Sequence, residues 1–448
     1  MFANKVVKNM VTLNTRLGRI QGNEREYSNE FLGVRYATAG RFEYCQLVKP
    51  WEGVYDATHF GDACPQKRQY YPHYENKTRA FYQKEFREHD TYTYSEDCLN
   101  LNIWAPKKGE KHPVLIFIHG GGFDSCCNSE SNIDGEKYAK RGIIMVAINY
   151  RVGIFGYCTN KENADKNGRD GNFGLDDQYK SILWVKENIE DYGGDPNNIT
   201  LVGQSAGAIS IQYLCLYKKC EGLFQHAIMM SGGGKFPNFA LPRKAEDTRN
   251  YWDQLMEIAG CKTLDEIKKL DHKAIFDAWE ILKDKRKDNQ YNTMPVIDGE
   301  IIAGPVDKLI KNPLKIDYMI GYTNNDMYAL LMMMIGMKFA KNNNGYTYFF
   351  DIDSPGDKNK AFHSCDLRYA FGTLETGWRP YTELDYKVSE IMMDYFANFA
   401  KTGNPNGENL PVWEINKAKS LRFAKEIKMA RPPKLRLLYN TFYGLKTR

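Results

Sequence analysis

Apolar residues along this chain fall into two alternating patterns. Residues 114–118 (VLIFI), 143–149 (IIMVAIN) and 226–230 (HAIMM) are near-continuous apolar runs, as in strands covered on both faces. Residues 99–104 (LNLNIW) alternate at period two, like a half-buried strand. Residues 317–320 and 346–351 predict two more strands, and residues 10–60 predict short strands broken by glycine. Between these lie helical stretches at 175–188, with Trp184 and Val185 on the apolar face, and at 244–284 and 386–401. The aromatic, polar-rich stretch 67–94 has no clean period and is expected to be loop with a short helix. Strands alternating with helices predict an α/β fold on a mostly parallel sheet. No repeat, low-complexity tract or composition break marks a second domain, so 1–448 reads as one unit.

Composition narrows the function classes. Hydrophobic content of 42% with 26% charged residues is an ordinary globular balance for 448 residues. A net charge of +5, with basic runs such as 283–287 (KDKRK) mixed with acids, gives no nucleic-acid signature. The N-terminal stretch shows no signal-like apolar core, and no run reaches a membrane-spanning length. Ten cysteines are too sparse for a disulfide scaffold and lack metal spacing with histidines. The expectation is a cytoplasmic protein, monomeric or a weak homo-oligomer, with a small-molecule partner rather than a nucleic acid or a membrane.

The chemistry centres on residues 198–210, NITLVGQSAGAIS. A β-rich run enters Gly-Gln-Ser-Ala-Gly, and small residues suited to a helix follow, the setting in which G-x-S-x-G forms a nucleophile elbow around Ser205. Composition alone gives roughly 0.09 such pentapeptides per chain, so the flanking strand and helix carry the reading. Upstream, the apolar run 114–118 leads straight into His119-Gly120-Gly121-Gly122. Residues without Cβ at a strand end can aim N–H groups at an oxyanion, and Gly121, Gly122 and Ala206 are the candidate donors. A serine needs a base, and the order Ser, acid, His leaves three histidines after Ser205. His226 starts a buried strand and His272 sits in a charged segment, so elimination favours His363, on a loop after a strand. Asp326, just past strand 317–320, is the candidate acid. Phe123 reads equally as an acyl-pocket wall or a packing aromatic.

These motifs resemble the type-B carboxylesterase family, which includes bacterial para-nitrobenzyl esterases, liver-type carboxylesterases and cholinesterases. The likeness runs from about Val11 to Trp413 through FLGVRYA, SEDCLNLNIWAP, HGGGF, NYRVGIFGY, GNFGLDDQ, WVKENIEDYGGDPNNITLVGQSAGA, MSGGG, IGYTNND, AFHSCDLRYAFG and FAKTGNPNG. The resemblance implies an α/β-hydrolase fold, serine esterase chemistry through an acyl-enzyme, and no cofactor or metal. It implies the triad Ser205, Asp326 and His363, with Ser231 supporting acid and base through hydrogen bonds. Rivals are a lipase or a polyphenol- or mycotoxin-ester hydrolase of the same fold, and a non-catalytic binding module.

Departures from the family are as informative. Asp326 stands where the family usually has Glu, and Gln204 stands where relatives often carry Glu before the nucleophile. Glu88 occupies the place of the cholinesterase Trp that binds a quaternary amine, so choline recognition lacks its main aromatic. Cys64 and Cys98 match the family's first disulfide and are expected as thiols in a reducing cell, while Cys261 has no evident partner. Only 37 positions separate Asp326 from His363, where relatives place tens of residues more. The cap is therefore expected to be cut short around 327–345, giving a shallower site. Met332, Met333, Met334 and Met337 would form either a Met-rich lip to that site or part of an ordinary core helix.

Overall fold

The computed structural model describes residues 9–233, 241–286, 293–326, 329–415 and 418–433. One large sheet organises them. Its strands are β1 (Asn9–Thr15), β2 (Gly18–Glu24), β3 (Ser28–Arg35), β4 (Asn100–Pro106), β5 (His112–Ile118), β6 (Ile144–Ile148), β7 (Gly194–Gln204), β8 (His226–Met230), β9 (Asp317–Thr323), β10 (Tyr346–Phe350), β11 (Ser420–Phe423) and β12 (Lys428–Ala430). The spatial order is β1-β2-β3-β4-β6-β5-β7-β8-β9-β10-β11-β12, with Val54–Asp56 beside β2. From β6 to β11 every neighbouring pair is parallel; the other pairs in this order are antiparallel, and Val54–Asp56 runs parallel to β2.

The apolar runs are explained by what covers each face. Along β5, Val114, Ile116 and Ile118 enter one core while Leu115 and Phe117 enter the other. β6 divides in the same way, with Ile144, Val146 and Ile148 on one side and Met145 and Ala147 on the other. A strand buried on both faces has no polar positions to alternate with. The helices α3 (Phe173–Asn188), α4 (Ala206–Leu214), α5 (Ala245–Ile258), α6 (His272–Arg286) and α7 (Ala329–Asn342) supply the first core through Trp184, Ile211, Trp252, Phe276 and Phe339. The long helix α8 (Glu383–Thr402) covers the other face with Met392, Phe396 and Phe399. Two helices, α1 (Lys67–Tyr70) and α2 (Lys77–Arg87), occupy the stretch whose sequence lacks a period.

The segment expected as a shortened cap is α7, the crossover that joins β9 to its parallel neighbour β10. Met333 is buried in the core beneath it and Met337 packs against that core, whereas Met334 faces solvent. The core-helix alternative accounts for these methionines. The side chain of Met332 lies outside the described residues.

The loop between β6 and α3 is pinned by a buried ion pair. Arg151 donates from Nε and Nη2 to the two carboxylate oxygens of Asp177, at 2.8 and 2.7 Å, and from Nη1 to the carbonyl of Glu43 at 2.7 Å. Asp177 is fully buried, so removing it strands a buried guanidinium. Asp177→Ala is expected to cost about 3–5 kcal/mol, read as a lower urea midpoint in equilibrium unfolding.

Candidate active site

The elbow forms because β7 ends at Gln204 and α4 begins at Ala206, leaving Ser205 alone to turn the chain. Ser205 adopts φ 54°, ψ −121°, a conformation that costs on the order of 1–3 kcal/mol for a residue with a side chain. Two interactions hold it there. Its N–H donates to the carbonyl of Met230 at 2.9 Å, and its carbonyl accepts from Ile209 at 3.0 Å, starting the helix. The flanking glycines are required by close backbone approach. A Cβ on Gly207 would lie 2.0 Å from the carbonyl oxygen of Ile118, and one on Gly203 would lie 2.7 Å from the carbonyl carbon of Gly207.

The glycine run that follows β5 wraps against this turn. A Cβ on Gly120 would meet the Gln204 carbonyl at 2.7 Å, and Gly121 and Gly122 have φ of 93° and 65°. His119 anchors the run: its ring stacks on Tyr150 at 4.3 Å, and its carbonyl accepts from the Tyr150 hydroxyl at 2.9 Å. Burial pushes the His119 imidazole down to about 4, so it stays neutral. Ala206 heads α4, where an N–H has no intrahelical acceptor.

His363 and Asp326 meet through paired loops rather than through sequence proximity. The backbone N–H of Asn325 donates to Ala361 at 2.8 Å, and Asn325 bridges Phe362 in parallel fashion, so the residues after β9 run beside those before His363. This places His363 Nδ1 2.6 Å from Asp326 Oδ1, with both side chains buried. With the Nδ1 proton donated to the carboxylate, Nε2 carries the lone pair. The Nε2 atom lies 3.3 Å from the side-chain nitrogen of Gln204. Ser205, His363, Gln204 and the glycines 120–122 line one cavity of about 410 Å³.

Residues of α1 and α2, including Tyr82, Phe86 and Arg87, complete the lining of that cavity. The Tyr82 hydroxyl donates to the His363 carbonyl at 3.3 Å. Glu85 of α2 accepts from Arg379 Nε at 2.8 Å, and the Arg379 guanidinium lies 5.0 Å from the Phe362 ring centre. The helix and the histidine loop are thus tied together at buried positions.

Comparison with known proteins agrees with this geometry. The family model described as "Carboxylesterase family" matches residues 9–344 and 334–434. The chain belongs to the carboxylesterase family. Mouse bile salt-activated lipase is 30% identical over 85% of this chain and 76% of its own length. Para-nitrobenzyl esterase of Bacillus subtilis is 28% identical over 94% of this chain and 96% of its own. A solved thermophilic PNB esterase superposes with a TM-score of 0.80 at 26% identity, covering 95% of this chain and 99% of that one. The fold is accordingly the α/β-hydrolase fold, and the protein is a carboxylic-ester hydrolase. Among the described residues, no helix is long and apolar enough to cross a membrane.

Two residues expected at the site of this esterase are placed elsewhere in function or direction. Phe123 is fully buried and does not line the cavity; its positive φ of 64° turns the ring into the core, edge-on to Tyr157 at 5.3 Å. Ser231 follows β8 with φ 50°, and its N–H donates to Gly321 at 2.7 Å, locking β8 to β9. Its hydroxyl makes no hydrogen bond to Asp326 or His363, because that turn aims it into a buried space. None of the described residues of α7 lines the cavity either, so its wall is the aromatic, basic helix α2 and not a methionine lip.

Asp366 was not foreseen. It is fully buried close to the pair, and the Tyr348 hydroxyl donates to it at 3.0 Å. Burial, reinforced by the negative charge of Asp326, pushes its carboxyl up to about 7. The available signal was an acid in the run SCDLRYAFG after His363, most of whose other residues are apolar or aromatic. Since the unfolded carboxyl titrates near ~3.9, the folded state binds the extra proton between roughly pH 4 and pH 7. Stability is therefore expected to fall as pH rises through that window, and Asp366→Asn to flatten the fall, measured as urea midpoints at pH 5 and pH 8. At Gln204 the sign is opposite in effect. A carboxylate beside Nε2 stabilises the imidazolium, so Gln204→Glu is expected to move the acidic limb of the kcat/KM–pH profile to higher pH.

Proposed function

We propose that this chain hydrolyses small to medium carboxylic esters, with Ser205 as nucleophile, His363 as general base and acid, and Asp326 as the group that orients and charges against it. The observation that carries the reading is one constellation: a serine at a strained strand–helix elbow shares a cavity with an imidazole whose far nitrogen is 2.6 Å from a buried carboxylate.

Ser205 Oγ attacks the ester carbonyl while His363 Nε2 takes its proton. The developing oxyanion is held by the N–H groups of Gly121, Gly122 and Ala206, whose positions are fixed before substrate arrives. Asp326 holds the Nδ1 tautomer and balances the imidazolium without accepting the proton. Collapse expels the alcohol, protonated from Nε2. Water then enters, gives its proton to Nε2 and attacks the acyl carbon, and Ser205 leaves with that proton restored. Gln204 contributes an uncharged amide at the imidazole, so Asp326 is the carboxylate in hydrogen-bond contact with it.

A lipase, the activity named for the mouse relative, is the second reading, and a chain-length profile of 4-nitrophenyl esters separates the two by where activity falls off. A cytoplasmic location belongs to the same proposal, and there the neighbouring buried Cys64 and Cys98 would be thiols. Ser205→Ala is expected to lower kcat on 4-nitrophenyl acetate by roughly 10⁶-fold, to what the oxyanion donors and binding alone provide. Full activity in that variant would overturn the mechanism.

A further inference from the structure

The helix that walls the cavity carries a charge pattern that hydrolysis of a neutral ester does not use. On α2, Arg79, Gln83 and Arg87 follow at i, i+4 and i+8, so they stack along one face, and all three line the cavity. Arg68 of α1 lines it as well. Arg68 and Arg87 share a single acceptor, Oε1 of Glu130, at 3.2 and 2.6 Å. Two guanidiniums on one carboxylate leave a surplus positive charge in a wall where the three side chains are only 17%, 12% and 6% exposed. Arg79, at the exposed end of the stripe, forms no close ion pair with a described residue, although it feels the charges of Glu75 and Asp124.

The other charged groups facing the cavity do not cancel this surplus. Lys67 is taken by Glu280. Asp124 and Glu130 are the two carboxylates that line the cavity with Arg68, Arg79 and Arg87, so positive charge stays in excess even with both ionised, and burial pushes the Cys126 thiol up, so no thiolate balances Arg87. The surplus also lies close to the reacting atoms. Arg87 Nη2 is 2.8 Å from Cys126 Sγ, and that sulfur would be 2.7 Å from a Cβ on Gly121. One sulfur atom therefore separates the guanidinium from the oxyanion loop. Low-dielectric walls of one sign focus their field into a cleft, and guanidinium–carboxylate pairs are charge-assisted and directional.

We propose that the preferred substrates are esters carrying a free carboxylate of their own, a hemiester of a dicarboxylic acid being the simplest, with that carboxylate seated on the Arg79–Arg87 face. The inference rests on the esterase reading and specifies its substrate class. Ser205 forms its bond to the ester carbonyl and the alkoxy or aryloxy group departs with the proton from His363. The second carboxylate neither forms a bond nor changes protonation; it positions the chain.

The test compares 4-nitrophenyl hydrogen adipate with 4-nitrophenyl methyl adipate, which share length and leaving group and differ in the terminal charge, with spontaneous hydrolysis subtracted. The wild-type enzyme is expected to favour the hemiester by about tenfold in kcat/KM at low salt, the size of one good charge-assisted contact. The ratio should shrink as sodium chloride is raised. In Arg79→Gln it should fall toward one, and Arg79→Lys should restore part of it. Equal or slower turnover of the hemiester by wild type would overturn the charge inference while leaving the esterase reading intact. A preference that survives both high salt and Arg79→Gln would overturn it too. Failure to hydrolyse either ester, in protein shown by circular dichroism to be folded, would overturn both.

Discussion

The site depends on one close contact of backbone on backbone. The end of β5 passes so near the first turn of α4 that a Cβ on Gly207 would sit 2.0 Å from the Ile118 carbonyl oxygen. That approach brings the glycine run after β5 against the elbow after β7, because the two strands are hydrogen-bonded neighbours in register from Val114 to Ile118. The proposed oxyanion donors and nucleophile are then positioned by the sheet itself. The strain at Ser205 is offset by the interactions on either side of it: β8 receives its N–H and α4 uses its carbonyl. A serine held this way loses little orientation when substrate arrives, which is where an esterase gains over a free alcohol.

The other half of the site is assembled by a shorter-range device. Asp326 and His363 belong to loops after β9 and β10, adjacent parallel strands, so both emerge at the same edge of the sheet. A crossover helix of one ordinary length, α7, suffices to join those strands. The interval between acid and base is short because nothing is inserted beyond that crossover. What encloses the reacting groups must then come from another part of the chain, and α2 supplies it from a position nearly three hundred residues earlier, held by Glu85 and Arg379.

The legible and illegible parts of the sequence divide along the same line. Strands buried on both faces announce themselves, and so does an elbow that tolerates only glycine on each side of the serine, since both are local consequences of packing. His363 emerges by elimination and Asp326 by its place after β9, because the fold's order leaves few alternatives. What the sequence left open at Phe123 and the methionines, and the role expected of Ser231, share a cause: each concerns the direction of a side chain, which turns on a backbone dihedral or on which neighbour covers a helix. Residues 67–94 look aperiodic because α2 gives the core only Phe86, with Phe81 and Tyr82 packed beside it. One of its faces meets a cavity lined by charge and aromatic rings, so its pattern follows the needs of the site instead of a 3.6-residue apolar stripe.

Charge is where this esterase departs from a neutral hydrolase. Around the imidazole the structure has few free negative charges: Gln204 is an amide, and burial pushes the Asp366 carboxyl up to about 7. On the wall built by α1 and α2, two arginines share one glutamate. A cavity lined by more guanidinium than carboxylate, with Glu130 shared between Arg68 and Arg87, favours a substrate that enters as an anion. The same distribution gives a neutral substrate no additional hold. Selectivity by charge thus follows from α2, whereas the chemistry of bond cleavage follows from β5, β7 and the paired loops, and the two can be altered separately.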